Sequence, residues 1–155
     1  MKYKVCGLAV LLTALIGAES VSSNEPNFGL VRIYDKEQER TCALAPIPGA
    51  NEVYRFGSDK TCKQLPNDEA YYFKFDGLPS AVLVTFYDDP DCKFDTGNFV
   101  FQLRTLQNDV TTEPMKLSTV HAQPEGNIIA VGVRLERKSG SGQVDGKLSC
   151  VRIEY

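Results

Sequence analysis

The apolar residues of this chain come in short alternating runs, and that alone narrows the fold. The segments FGLVRIY (28–34), EVYRF (52–56), AYYFKF (70–75), SAVLVTFY (80–87), NFVFQLR (98–104), NIIAVGVRLE (127–136) and GKLSCVRIEY (146–155) are rich in Val, Ile, Phe and Tyr. Such residues suit a pleated surface, and none of these runs follows helical spacing. In NFVFQLR, Phe99, Phe101 and Leu103 share one face, while Asn98, Gln102 and Arg104 fall largely on the other. That is the pattern of a half-buried antiparallel strand. Between the runs lie clusters of turn residues: PIPGAN (46–51), LPND (65–68), DGLPS (76–80), DPDCKFDTGN (89–98) and KSGSGQVDG (138–146). SGSG reads as the tip of a hairpin. Seven or more strands separated in this way predict an all-β, antiparallel β-sandwich.

The ends of the chain and its cysteines indicate the compartment. Lys2 and Lys4 precede a fourteen-residue apolar run, VCGLAVLLTALIGA, followed by the small residues of AES. This is the layout of a signal peptide, with cleavage expected after Ser20 or Ala18, and the run is short for a membrane span. Residues 21–155 then form one exported domain, secreted or periplasmic, with no stable membrane insertion. It carries 15 basic and 19 acidic residues, a net charge of −4. With no basic stripe along the sequence, nucleic acid is not an expected partner. Cys42, Cys62, Cys92 and Cys150 remain after cleavage. An even number in an exported chain argues for two disulfides, and the wide spacing suits neither a zinc site nor a redox pair. Of three pairings, Cys42–Cys62 with Cys92–Cys150 keeps each bridge within one half of the chain.

The halves echo each other. VRIYDKEQ begins at Val31 and VTFYDDPD at Val84, which places Tyr34 on Tyr87 and Asp35 on Asp88 at an offset of 53 residues. Such a period suggests two similar four-stranded units. A strand leading through an aromatic residue into a tight acidic turn resembles the opening of each Greek key in the βγ-crystallin family. CKQLPNDEAYYFKF (62–75) resembles the later part of a key. The resemblance implies two Greek-key units packed as a sandwich over residues 28–155. It departs from the family at Glu39 and Thr41 in the first copy and at Cys92 and Phe94 in the second. Asn67 and Asp68 match the start of the family's calcium motif. Tyr71 and Tyr72 stand where it has Ser or Thr ligands, so the resemblance implies the fold without that motif.

Three groups of residues are candidates for function. Asp88, Asp89, Asp91 and Asp95 cluster after the Val84 strand and could supply oxygens to calcium, but their spacing is not that of a known loop and Asp and Pro are ordinary turn residues. The expectation is a solvated turn, with no metal or other cofactor and calcium as the alternative. In AYYFKF, Tyr71, Phe73 and Phe75 share a core face, leaving Tyr72 and Lys74 outward as binding material. His121, the only histidine, reads as an exposed loop residue with no nucleophile signature beside it. The expected function is therefore non-catalytic: binding a protein partner outside the cytoplasm, as an inhibitor, an immunity protein or a virulence-associated effector, at a surface including Tyr72, Lys74, Asp88, Asp89 and Asp91. A structural calcium-binding protein and a small carboxylate-dependent hydrolase are the alternatives.

Overall fold

The computed structural model describes residues 28–57, 62–94 and 97–155. The expected leader and Asp95 lie outside the described residues. Among the described residues, ten strands form two antiparallel sheets. Strands β1 (Leu30–Tyr34), β2 (Thr41–Leu44), β4 (Tyr72–Asp76) and β7 (Met115–Lys116) form a four-stranded sheet in the order β2-β1-β4-β7. Strands β3 (Asn51–Arg55), β5 (Leu83–Tyr87), β6 (Val100–Thr105), β8 (Ile128–Ala130), β9 (Val133–Ser139) and β10 (Cys150–Glu154) form a six-stranded sheet, β3-β10-β5-β6-β9-β8. A five-residue helix, α1 (Leu117–His121), follows β7. The chain is an all-β sandwich.

Alternation decides which side chains meet between the sheets. Val31 and Ile33 of β1 and Phe73 and Phe75 of β4 face inward, against Val84, Phe86, Phe101, Leu103, Leu135, Val151 and Ile153 of the larger sheet, all at most 1% exposed. Phe73, Phe86 and Phe101 form the centre, with ring centroids 4.6 Å apart for Phe73–Phe86 and 4.7 Å for Phe86–Phe101. Fully burying one such side chain stabilises by about 1.5–3 kcal/mol, so this row anchors the two sheets to each other.

The two disulfides are Cys42–Cys62 and Cys92–Cys150, the pairing expected, with Cα separations of 5.1 and 5.5 Å. Each of the seven expected strand segments contains a strand. NIIAVGVRLE contains two, β8 and β9, broken at Val131 and Gly132. Several details differ. SGSG is no hairpin tip, because β9 pairs with β6 and β8 and not with β10. Residues 140–149 instead carry the chain past β6 and β5, burying Val144 and Leu148 and donating the Gly146 N–H to the Ala70 carbonyl at 2.8 Å. At the start of this passage, Gly140 (φ +75°) runs so close to Asn98 that a Cβ would lie 1.8 Å from its carbonyl oxygen. Tyr71 is half-buried over the turn at Gly146, not in the core. Gln102 is buried on the face expected to be polar, and its Nε2 donates to Thr85 Oγ1 at 2.9 Å.

Candidate binding surface

The acidic turn is built by Asp89. Its Oδ1 accepts hydrogen bonds from the N–H groups of Asp91 (2.8 Å) and Lys93 (3.2 Å), and its carbonyl accepts from the Cys92 N–H at 3.0 Å. This self-capping is why Asp is favoured in such turns. Asp91 pairs with Lys93 at 2.9 Å, a contact that lowers its pKa. Asp88 belongs to the hairpin itself, with its N–H on the Phe99 carbonyl at 3.1 Å. Burial, then the charge of Asp68 and lastly that of Asp89, push its carboxyl up, with Lys147 acting in the opposite direction. Among the described residues, no three His, Cys, Asp or Glu side chains gather in a group able to hold a metal.

The Cys92–Cys150 bridge fixes where this turn goes. Cys150 lies on β10 opposite Tyr87 and Arg55, on the outer face of the six-stranded sheet. The bridge therefore draws residues 88–94 back over that face. Tyr87, Cys92, Val100 and Cys150 are buried there in a second small cluster, with Val53 packed beside them. Phe94 stands on Tyr87 edge to face, ring centroids 5.7 Å apart, and remains 43% exposed. The guanidinium of Arg137 lies 3.9 Å above the Phe94 ring. Arg152 lies 5.7 Å from the Tyr87 ring and donates to the Cys92 carbonyl at 3.4 Å. Stacking of this kind holds an arginine in place and leaves its edge N–H groups available.

Tyr72 and Lys74 lie elsewhere, on the outer face of the four-stranded sheet. Register places Tyr72 between Tyr34 and Lys116, and Lys74 beside Arg32. Arg32 pairs with Asp76 at 2.9 Å. The structure thus adds Tyr34 and Lys116 to the expected platform but does not join it to the acidic turn, which sits on the other sheet. A cleft of about 410 Å³ opens where β7, α1 and β8 converge, lined by Met115, Lys116, Val120, Gln123, Ile128 and Ile129 among others.

His121 is not an exposed loop residue. It closes α1 and packs against Phe99 and Phe101, at 6.0 and 6.1 Å between ring centroids. Its Nε2 is 3.2 Å from the Ser139 carbonyl, and burial lowers its pKa. Ser118 donates its hydroxyl to Asp145 at 2.8 Å, so the hydroxyl and the imidazole have separate partners. Asp145 also accepts the Ser118 N–H at 3.0 Å, which gives the first turn of α1 a cap from a distant segment.

Among the described residues, no helix is long and apolar enough to cross a membrane. Two disulfides fit a non-reducing environment. No protein-family model, curated protein or solved structure matches the chain.

Proposed function

We propose that this protein is an exported, non-catalytic binding module that engages a protein partner through the outer face of its six-stranded sheet. One observation carries the reading: Phe94, exposed yet held between Tyr87 and Arg137 on a loop tied down by Cys92–Cys150. Aromatic and arginine side chains dominate binding energy at protein interfaces, and holding them in place before contact reduces the ordering cost of association. The roles of inhibitor, immunity protein and effector are all compatible with such a surface. The crystallin-like relationship belongs to the same proposal and rests on the strand-turn openings at Tyr34 and Tyr87.

The test uses the oxidised protein as bait in extracellular or periplasmic fluid of its source, with lysine-directed cross-linking. The reading expects one protein to cross-link reproducibly through Lys93, and Phe94→Ala/Arg137→Ala to lose it. A partner retained at full affinity by that double variant would place binding elsewhere, on the Tyr72 and Lys74 face or in the Met115 cleft. A turnover activity lost in His121→Ala would overturn the non-catalytic reading.

A further inference from the structure

The chain is acidic, with a net charge of −3, yet one of its faces is cationic. Arg55, Arg104, Arg134, Arg137 and Arg152 come from four strands of the six-stranded sheet, and strand register puts all five on its outer face. They are five of the chain's seven arginines. The strands of the same face carry two glutamates. Glu136 is taken up by Arg104 at 2.8 Å and Arg134 at 2.6 Å, and Glu154 lies 3.5 Å from Gln102. Five arginines against two glutamates leave the strands three charges positive. The turn folded over the Cys150 end adds Asp88, Asp89 and Asp91 against Lys93, so the face among the described residues is one charge positive, with Asp91 taken up by Lys93.

Arg137 and Arg152, which lie over rings, form no ion pair with a carboxylate of the described residues. Arg152, Thr85, Gln102 and Arg137 form one row across the sheet. Three strand spacings separate the two guanidinium-bearing positions, about 14 Å at the usual interval. Between them Thr85 and Gln102 are already hydrogen-bonded to each other. The row therefore offers two fixed, planar cations at its ends and a satisfied polar floor in the middle.

We infer that this row docks an acidic segment of a protein, with carboxylates received by Arg137 and Arg152 and an apolar residue set against Phe94. The inference deepens the proposed binding function and rests on it. A fixed guanidinium matches a carboxylate in a two-point fork. The interspersed Glu136 and Glu154, and the exposed ring of Phe94, favour spaced carboxylates with apolar neighbours over an unbroken polyanion.

The experiment adds a synthetic Glu-rich peptide containing Phe and Leu to the isotopically labelled, oxidised full domain and follows backbone and arginine side-chain N–H resonances. The inference expects saturable shifts at Arg137 and Arg152 and along β6, β9 and β10, weakening with added salt. Arg137→Gln/Arg152→Gln should lower affinity by about tenfold or more, the scale of two lost charge-assisted contacts. Lys36→Gln, on the far hairpin, should not lower it. Shifts confined to the other sheet, no shift at Arg137, or tighter binding of a heparin or DNA fragment of equal charge would overturn the inference. These results stand apart from failure of the binding reading itself: a cross-linked partner that contacts this face through apolar residues alone would sink the acidic chemistry and leave the binding module intact.

Discussion

The hairpins β1–β2 and β5–β6 start from nearly the same words, VRIYD and VTFYD, and end as different objects. In both, Tyr closes the strand and Asp takes the first position beyond it: Asp35 is bonded through its N–H to the Arg40 carbonyl at 3.2 Å, Asp88 to that of Phe99 at 3.1 Å. In the first hairpin that same Asp also organises the turn. Asp35 is 3% exposed, its Oδ1 accepts the N–H groups of Glu39 and Arg40, and its Oδ2 accepts the Arg40 guanidinium at 2.8 Å. Arg40 in turn reaches Glu69. In the second hairpin the organising role passes one residue on, to Asp89. The turn is then longer, carries a cysteine at φ +57°, and is folded onto the sheet by its disulfide. The carboxylate held inward gives a tight structural turn. The one displaced outward gives a loop that presents Phe94.

Removing the bridges should have the largest effect on both hairpins. In the chain-entropy description, loss of Cys92–Cys150 costs about 4 kcal/mol and loss of Cys42–Cys62 about 3 kcal/mol, because the first closes 58 residues and the second 20. Chemical denaturation of the two double Cys→Ser variants measures both. Comparable losses of stability, with loss of the Phe94–Tyr87 contact in the first variant only, are the expected outcome.

The aspartates come next. Asp35→Ala leaves Arg40 with Glu69 alone and two N–H groups without their acceptor, and should cost about 1.5–3 kcal/mol, the range for hydrogen bonds to a charged group. Asp88→Asn should leave stability unchanged or raise it at neutral pH. The pH dependence separates them further. Burial acts to raise the Asp35 carboxyl, but the Arg40 contact and the backbone N–H groups outweigh it and hold it below the ordinary 3.8. Its contribution is complete above pH 3.8 and is lost as pH falls through the lower folded value. The Asp88 carboxyl is raised, so its ionised form destabilises the fold at neutral pH and the penalty is relieved on acidification. Carboxyl-carbon NMR titration should show the two midpoints on opposite sides of 3.8.

Asp89→Ala should cost about 1 kcal/mol, as expected for the net worth of ordinary hydrogen bonds. The melting temperature should be the same in millimolar calcium and in EDTA, because Asp89 and Asp91 already spend their carboxylates on N–H groups and on Lys93. A rise of several degrees, absent in Asp89→Asn/Asp91→Asn, would show a cation site at this turn.

The sequence revealed whatever period and spacing encode. Strands such as β4 and β6 carry their alternation openly, and the disulfide pairing followed from keeping each bridge within one half of the chain. It did not reveal elements made by their surroundings. β2 is four residues after a charged turn, β7 is two residues, and α1 is a five-residue helix with Thr and Val whose cap, Asp145, lies 27 residues away from Ser118. Tyr72 and Lys74 were legible as outward residues, but their neighbours Tyr34 and Lys116 are set by strand pairing. The cationic face was invisible for the same reason: its arginines are scattered from 55 to 152 and meet only through sheet order.

In the proposed function the first turn is structural and the second is the binding element. The direct measurement is the dissociation constant for the cross-linked partner, compared between Lys36→Ala/Glu37→Ala in the first turn and Phe94→Ala/Arg137→Ala in the second, with folding of each verified by its amide spectrum. The expected result is unchanged affinity for the first pair and a loss of about a hundredfold or more for the second, the scale of truncating an interface hot spot. Unchanged affinity for the second pair, or a larger loss for the first, would contradict it.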